Sequence, residues 1–153
     1  MSAAVQVQRA GFSQLDEVTP LFENYLRFYG KSVASVDARR FIADRLENQD
    51  SVILVAMFEQ RLQGFAQLFP SFASLSLAPS WILNDLYVAQ AARGHGIGKA
   101  LMQAARDLAV GSGAAEIFLQ TARENSSARC LYEQLGYQRD DDFLVYTLPL
   151  PRN

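Results

Sequence analysis

Apolar and polar positions follow two different periods along the chain, and these periods predict strands and helices. Short runs rich in β-branched and aromatic residues are typical of strands. They lie at residues 5–8, 52–58, 62–69, 81–88 and 116–121. Apolar residues that recur every three or four positions are typical of helices that pack by one face. They lie at residues 14–29, 36–46, 97–108 and 125–135.

Two further segments complete the pattern. Residues 70–79 contain several serines among apolar residues, which fits either a loop or an extension of a strand. Residues 137–148 have the pattern of a closing hairpin, because an acidic turn precedes the apolar run 143–148. The order βααβββαβαββ mixes hairpins with strand-turn-helix crossovers. It predicts an α/β (α+β) fold with a mixed, mostly antiparallel sheet and helices on both faces.

Composition and charge narrow the class of protein. The length of 153 residues predicts one domain spanning 1–153, because a domain usually has roughly 100–200 residues. Half of the residues are apolar and 20% are charged, which is typical of a globular chain. The 14 Lys and Arg residues against 16 Asp and Glu residues leave a net charge of −2. A nucleic-acid partner is therefore not expected, since such partners call for a basic surface.

The cysteine, the histidine and the N-terminus indicate the compartment. One cysteine, Cys130, cannot form an internal disulfide, and one histidine, His95, leaves no cluster of ligands for a structural metal. The first residues lack a signal peptide, and no apolar run reaches the roughly 18 residues of a membrane span. We therefore expect a cytoplasmic protein with no membrane partner and no metal.

The turn at residues 93–99 carries the most specific chemistry. Its sequence Arg-Gly-His-Gly-Ile-Gly-Lys stands between a predicted strand and a predicted helix. Glycines let the backbone approach a ligand closely, and the following helix N-terminus favours an anion, so the turn predicts a phosphate cradle. The alternative is a connector selected only for turn geometry. A Walker A loop would need a hydroxyl at Ala100, and a dinucleotide fingerprint would need glycine at Lys99 or Leu101.

Two segments in this order resemble one family. Residues 88–101 resemble the acetyl-CoA motif of the GNAT superfamily of N-acyltransferases, with Arg93, Gly96 and Gly98 in register. Residues 125–137 resemble the helix that follows in that family, with an asparagine near its start and the ending Tyr-Glu-Gln-Leu-Gly-Tyr. The resemblance implies a single-domain GNAT fold with a splayed central strand pair, into which acyl-CoA enters like an extra strand.

The resemblance also implies roles for individual residues. The backbone of Leu86, Tyr87 and Val88 would pair with the pantetheine arm, and Asn125 would hydrogen-bond it. Tyr132 would act as general acid toward the leaving thiolate, since a phenol keeps its proton at neutral pH and can donate it as charge develops. The loop residues whose amides would hold the pyrophosphate are Arg93, Gly94, His95, Gly96, Ile97, Gly98 and Lys99.

Asp85 is the residue selected as general base, because an amine arrives protonated and must lose a proton before it attacks. The alternative is a structural carboxylate that satisfies nearby donors. On a regular strand Asn84 and Asp85 point to opposite faces, and only a bulge, which is usual here in the family, would turn both into one cleft. The segment also resembles the spermidine/spermine and thialysine acetyltransferases, although Asn84 replaces one of the acidic residues that this branch tends to place here.

Other residues leave alternatives open. Tyr25, Phe28, Tyr29 and Trp81 would either line an acceptor pocket or belong to the core. Cys130 as an acyl-carrying nucleophile would lack a histidine partner, so it is interpreted as a small core residue. His95 is expected to face solvent or the CoA 3′-phosphate rather than to catalyse.

The functional hypothesis is an N-acetyltransferase that moves the acetyl group of acetyl-CoA, its cosubstrate, to a primary amine of a small molecule by direct attack in a ternary complex. Three alternatives remain: a protein or peptide N-acetyltransferase, a non-catalytic acyl-CoA sensor, and a phosphate-binding regulatory domain unrelated to CoA. The aromatic residues of the first helix and of the last hairpin are compatible with a homodimer.

Overall fold

The computed structural model describes residues 4–152 and contains five strands, four α-helices and three single 3-10 turns. The strands are β1 Gln6–Arg9, β2 Val52–Phe58, β3 Arg61–Ala73, β4 Ala78–Val88 and β5 Ile117–Leu119. The helices are α1 Leu15–Phe28, α2 Ser35–Asn48, α3 Ile97–Gly111 and α4 Ser126–Gln134. The chain divides into two compact units, of which the first ends at Gln120 and the second begins at Thr121.

The sheet has the order β1-β2-β3-β4-β5, and every neighbouring pair is antiparallel except β4 with β5. The β2–β3 turn has a positive φ at both Glu59 and Gln60, as a tight hairpin turn requires. The segment that the sequence left undecided, 70–79, continues the hairpin from β3 into β4 through a 3-10 turn at Ser74–Ser76. The predicted mixed, mostly antiparallel sheet is confirmed.

Helices cover both faces of the sheet in the first unit. Helices α1 and α2 bury Val18, Phe22 and Ile42 in one cluster with Val55 and Phe65 of the sheet. Neighbouring strand residues point to opposite faces, so Gly64 lies on the other side, where α3 packs. A Cβ at Gly64 would lie 3.0 Å from Ile97 Cγ2, and the absence of a side chain is what permits this close approach.

The predicted closing hairpin is wrong. Residues 137–152 contain no strand, and the Asp140 carboxylate instead accepts hydrogen bonds from the backbone amides of Asp142 and Phe143. The apolar run has strand propensity, but the residues before it are polar and charged, and an isolated two-stranded hairpin is marginal in water. Its apolar side chains are exposed. Strand β5 is also shorter than the predicted 116–121.

Candidate active site

Strand β4 extends well beyond its pairing with β5. The parallel pairing joins only residues 81–83 to residues 117–119. On the opposite side, β3 continues to pair with β4 as far as Val88. Among residues 4–152, no β5 residue therefore pairs with Leu86, Tyr87 or Val88. The side of β4 that faces away from β3 is open to an extended ligand there, and the Val88 carbonyl on it already accepts a hydrogen bond from Arg93 Nε. The resemblance implies a splayed strand pair at this place, and the β4–β5 pairing ends there at Leu83 and Leu119.

A β-bulge sets the side-chain directions in this part of β4. Gln67 pairs with Asp85 and Leu68 pairs with Leu83, so Asn84 is the extra residue. Leu83 and Asp85 are both buried, whereas Asn84 is exposed. The bulge on which the sequence argument about Asp85 depended is present.

Asp85 is held by polar side chains in a nearly dry environment. Its side chain is 4% exposed, and its carboxylate accepts hydrogen bonds from Gln67 Nε2 at 2.5 Å and Asn84 Nδ2 at 2.9 Å. The Ser51 hydroxyl donates to Gln67 Oε1 at 2.8 Å and so orients the amide with its donors toward Asp85. Burial raises the pKa of Asp85, while its hydrogen bonds with Gln67, Tyr25 and Asn84 act in the opposite direction.

Sequence reasoning missed Ser51 and Gln67. Gln67 is completely buried, and Ser51 is 6% exposed. One signal was available, because Gln67 interrupts the apolar run Phe65–Phe69 of a buried strand, and a buried amide needs a partner for each polar group. The identity of the partners was not available, since Ser51 directly precedes β2 and Asp85 lies on β4, the two strands that flank β3, and the sequence alone does not align these strands.

Aromatic side chains from the end of α1 stand beside Asp85. The Tyr25 hydroxyl donates to the Asn84 carbonyl at 3.3 Å, and its ring centre lies 5.1 Å from that of Tyr29 and 6.5 Å from that of Tyr87. Burial and the charge of Asp85 both raise the pKa of Tyr29, which places the two groups within electrostatic reach of each other.

Four aromatic residues were expected either to line an acceptor pocket or to belong to the core. Of these, Tyr25 is half-buried and packs against the core, whereas Phe28 and Tyr29 are exposed. Trp81 does not belong to this cluster. Its indole N–H donates to the Ser112 hydroxyl beyond the end of α3.

The glycine loop has the backbone form of an anion cradle. Gly94 and Gly96 have φ values of +85° and +79°, and a Cβ at either position would meet nothing within 4 Å. The first helical hydrogen bond runs from the Ala100 amide to the Gly96 carbonyl, so the amides of Ile97, Gly98 and Lys99 precede the helical ladder. Free amides at a helix N-terminus attract anions.

Two side chains of the loop contact neighbouring residues. Arg93 Nε donates to the Val88 carbonyl at 3.0 Å, and its guanidinium lies 5.5 Å from the ring centre of Tyr87. His95 is exposed, as predicted, and its Nδ1 lies 3.1 Å from the Ala92 carbonyl oxygen, with its ring against Phe58. An anion at this loop can accept hydrogen bonds from the backbone amides of Ile97, Gly98 and Lys99.

The remaining residues to which the resemblance gives a role lie in the second unit. Asn125 directly precedes α4, and its side-chain amide lies 3.5 Å from the Thr121 hydroxyl. Tyr132 is buried, with its ring centre 5.9 Å from that of Tyr137. Cys130 is exposed, so its interpretation as a core residue is wrong. Tyr132 lies two residues further along the same helix and is buried, because residues two apart face different sides of a helix.

Comparison with known proteins identifies the family. Residues 18–137 match the model of the acetyltransferase (GNAT) family. The chain belongs to the GNAT family of acetyltransferases. It is 42% identical over 147 residues to YhfO, an uncharacterised N-acetyltransferase of Bacillus subtilis (strain 168), covering 96% of this chain and 99% of YhfO. The protein is accordingly an acyltransferase of a family that uses acetyl-CoA as cosubstrate.

Solved structures agree with the fold. The crystal structure of a probable acetyltransferase superposes with a TM-score of 0.90 at 39% identity, covering 97% of this chain and 99% of that one. A ribosomal-protein-alanine N-acetyltransferase from Brucella melitensis biovar Abortus 2308 superposes with a TM-score of 0.80 at 22% identity, covering 96% and 100%. At that identity the second likeness concerns the fold alone.

Two places in the first unit are open to a ligand. The part of β4 beyond its pairing with β5 leaves backbone groups exposed to an extended ligand, and the unfilled space beside Gly94 and Gly96 leaves room for an anion next to the helix amides. Within residues 4–152 no group of three or more His, Cys, Asp or Glu residues could hold a metal ion. No helix in the same range is long and apolar enough to cross a membrane.

Proposed function

We propose that the protein transfers the acetyl group of acetyl-CoA to a primary amine of a small molecule within a ternary complex. The observation that carries the proposal is the buried carboxylate of Asp85, which lies beside the tyrosines of α1 and next to the open half of β4. A carboxylate at the point where a thioester would lie can accept the proton that an amine must lose.

The cosubstrate would be held by backbone groups. The amides from Arg93 to Lys99 bind the pyrophosphate, and Leu86, Tyr87 and Val88 pair with the pantetheine arm as an added strand would. Asn125 donates a further hydrogen bond to that arm. The exposed backbone of β4 and the positive φ values of Gly94 and Gly96 support this arrangement.

The chemistry requires three proton transfers. The ammonium nitrogen loses one proton to Asp85 and then forms a bond to the thioester carbonyl carbon, and the carbon–sulfur bond breaks. Tyr132 donates its phenolic proton to the departing sulfur, and the second proton that the nitrogen loses restores the phenol, so that free CoA thiol and an N-acetyl amide leave the site and Asp85 releases its proton to solvent. Gln67 and Asn84 keep the Asp85 carboxylate in place while its protonation changes.

The acceptor is proposed to be a small amine. An ammonium group is attracted both by the Asp85 carboxylate and by aromatic faces, which Tyr25, Tyr29 and Tyr87 supply nearby. Asn84 is neutral and exposed, so this stretch of β4 offers one negative charge. That favours an amine with one cationic centre at the reacting end over the polyamine class that the sequence also resembles.

Calorimetric titration with acetyl-CoA, CoA and NADH tests the cosubstrate first. We expect stoichiometric binding of acetyl-CoA and CoA and none of NADH. Failure of acetyl-CoA to bind to folded protein would contradict the whole proposal. A panel of amines with thiol-release detection then tests the acceptor, with monoamines, polyamines, lysine analogues and peptide N-termini compared.

The panel distinguishes the alternatives. Turnover with a small amine supports the proposal, whereas turnover with peptides only would make the protein a peptide N-acetyltransferase. Tight binding of acetyl-CoA without turnover of any amine would favour an acyl-CoA sensor.

A further inference from the structure

The Asp85 carboxylate has little room for a direct contact with an amine. Only 4% of its side chain is exposed. Its Oδ2 atom accepts a hydrogen bond from Gln67 Nε2, and its Oδ1 atom accepts one from Asn84 Nδ2. Both donors are neutral amides, which offer hydrogen bonds but do not exchange a proton with an amine. A proton that leaves an amine therefore needs another group through which it can reach Asp85.

Tyr25 of α1 can connect an amine to Asp85. Its hydroxyl lies 3.3 Å from the Asn84 carbonyl oxygen and also hydrogen-bonds the Asp85 side chain. Unlike Asp85, Tyr25 is only half-buried. A phenol can donate one hydrogen bond and accept another. Its hydroxyl can therefore give its own proton to Asp85 while it accepts a proton from a group on its more exposed side.

The Tyr25 ring is held by its packing. Its centre lies 6.1 Å from the ring centre of Phe22 and 5.8 Å from that of Phe65, and both of these side chains are buried. Its other neighbour, Tyr29, lies one helical turn further along α1 and is 46% exposed. A proton is transferred only where the donor and acceptor atoms stay within hydrogen-bond distance. A ring fixed between the core and the exposed Tyr29 meets this condition.

We propose, on the basis of the proposed role of Asp85 as general base, that the Tyr25 hydroxyl is a proton relay from the acceptor ammonium group to Asp85, and hence a further catalytic residue. In one concerted step, an N–H bond of the ammonium breaks and an O–H bond forms at Tyr25. The original O–H bond of Tyr25 breaks at the same time, and an O–H bond forms at the Asp85 carboxylate. The amine is left neutral with its lone pair free to attack, and Tyr25 is unchanged.

A relay and a simple hydrogen-bond donor predict different pH profiles. Burial raises the pKa of Asp85, and the hydrogen bond from Tyr25 lowers it. A hydroxyl that only donates would, when removed, move the rise of the rate to higher pH and leave the plateau unchanged. Removal of a relay lowers the plateau itself. Burial and the charge of Asp85 raise the pKa of Tyr29 above 10.0, so Tyr29 keeps its proton throughout the rise.

Single-turnover rates of Tyr25→Phe across pH test the relay. The variant keeps the ring and its packing, so the fold and the affinity for acetyl-CoA should remain, while the plateau should fall by about 10²-fold or more. Thr19→Val is the matched control, because it removes a buried hydroxyl from the same helix, where Thr19 donates to the Leu15 carbonyl. It should keep both the plateau and the midpoint. A Tyr25→Phe profile with the plateau of the unmodified enzyme would overturn the proposal.

Acceptors of different basicity provide a second measurement. An amine whose pKa lies well below the assay pH arrives neutral and needs no proton removal before it attacks. The rate defect of Tyr25→Phe should therefore be smaller, by about tenfold or more, with a fluorinated and weakly basic analogue than with the parent amine. A defect of equal size for both amines would overturn the proposal, because the hydroxyl would then act through binding or through the fold.

Asp85→Asn in the same assays separates the relay from the proposed function. If this variant loses the rise with pH while Tyr25→Phe keeps its plateau, Asp85 remains the base and the relay is wrong. If Asp85→Asn keeps the profile, or if no amine is turned over, the general base is wrong and the relay with it. A loss of rate in both variants that is smaller with the weakly basic amine supports the relay.

Discussion

Asp85 shows how a single residue acquires chemical character from its surroundings. The bulge at Asn84 turns the Asp85 side chain into the interior, where burial raises its pKa and Gln67 and Asn84 satisfy its oxygens. A carboxyl group with a raised pKa is a better proton acceptor than one in water, because its charged form is less stabilised. The same environment also fits a purely structural carboxylate, so the two interpretations must be separated by activity.

Substitution Asp85→Asn tests the general base. Because the base must be ionised to accept a proton, kcat/KM of the unmodified enzyme should rise with pH through the raised pKa of Asp85 and then level off. The variant should lose about 10²-fold or more in rate and lose this rise with pH. Asp44→Asn, at an exposed position of α2, is the matched control and should keep the profile. An unchanged profile in the Asp85 variant would assign it a structural role.

Substitution Tyr132→Phe tests the general acid. The ring and its packing remain, while the proton donor is removed, so acetyl-CoA should bind as before and kcat should fall by about 10²–10⁴-fold. Tyr137→Phe is the control, because it removes a hydroxyl from the neighbouring ring. Single-turnover rates are the proper measurement, since they isolate the chemical step. Equal single-turnover rates for Tyr132→Phe and the unmodified enzyme would reject the assignment.

At the scale of elements, the junction between β4 and α3 combines three local features. Strand β4 extends beyond its pairing with β5, and the loop has two glycines with positive φ. The first amides of α3 lie before the first intrahelical hydrogen bond. None of these features needs a charged side chain, because the donors belong to the backbone. Glycine is favoured at these two positions because a left-handed conformation costs other residues about 1–2 kcal/mol each.

Gly96→Val tests the loop. The side chain would enter the open space beside the α3 amides, so the dissociation constant for CoA should rise by about tenfold or more. Gly113→Val is the matched control, because Gly113 has a φ of +76° against +79° for Gly96 and also faces open space. Both variants carry similar backbone strain, and only the first should lose affinity in calorimetry. Equal affinities in two folded variants would refute the cradle.

Some elements could be predicted from the local pattern of apolar residues, and one could not. Strand β2 occupies the predicted 52–58 and α3 begins at the predicted Ile97, because a continuous apolar run and a helical apolar face are local signals. The closing hairpin failed, since Phe143–Leu148 has the propensity of a strand but residues 137–142 do not supply a partner. A segment with high strand propensity forms a strand only where another strand is available to pair with it.

At the scale of the whole molecule, Asp85 links catalysis to stability. Its pKa is higher in the folded chain than the reference value of 3.8, so the folded state binds this proton more tightly than the unfolded state does. The group's contribution to the free energy of unfolding is therefore greatest at low pH, and it decreases as pH rises from about the unfolded value through the folded pKa. Above that range it stays constant.

Asp85→Asn should consequently become more stable relative to the unmodified protein as pH rises. The Ser51 hydroxyl can donate or accept, so the Gln67 amide can rotate to meet the introduced amide. In thermal melts from pH 3 to pH 8, the variant's Tm minus the parent's Tm should increase and then level off, by about 2–4 °C for each kcal/mol. Asp44→Asn should show a flat difference. A difference that decreases with pH would mean that the ionised carboxylate stabilises the fold.

The sequence by itself determined the class of fold, the glycine loop and the family, because periodicity, φ > 0 at glycine and the two motifs are properties of neighbouring residues. It also selected Asp85 and Asn84 as a pair whose directions depend on a bulge. Only the tertiary structure decided that the bulge exists, that Ser51 and Gln67 complete the environment of Asp85, that Cys130 is exposed, and that residues 143–148 find no partner strand among the described residues. Each of these depends on which residues distant in the chain come into contact, and burial and hydrogen bonding are properties of that contact.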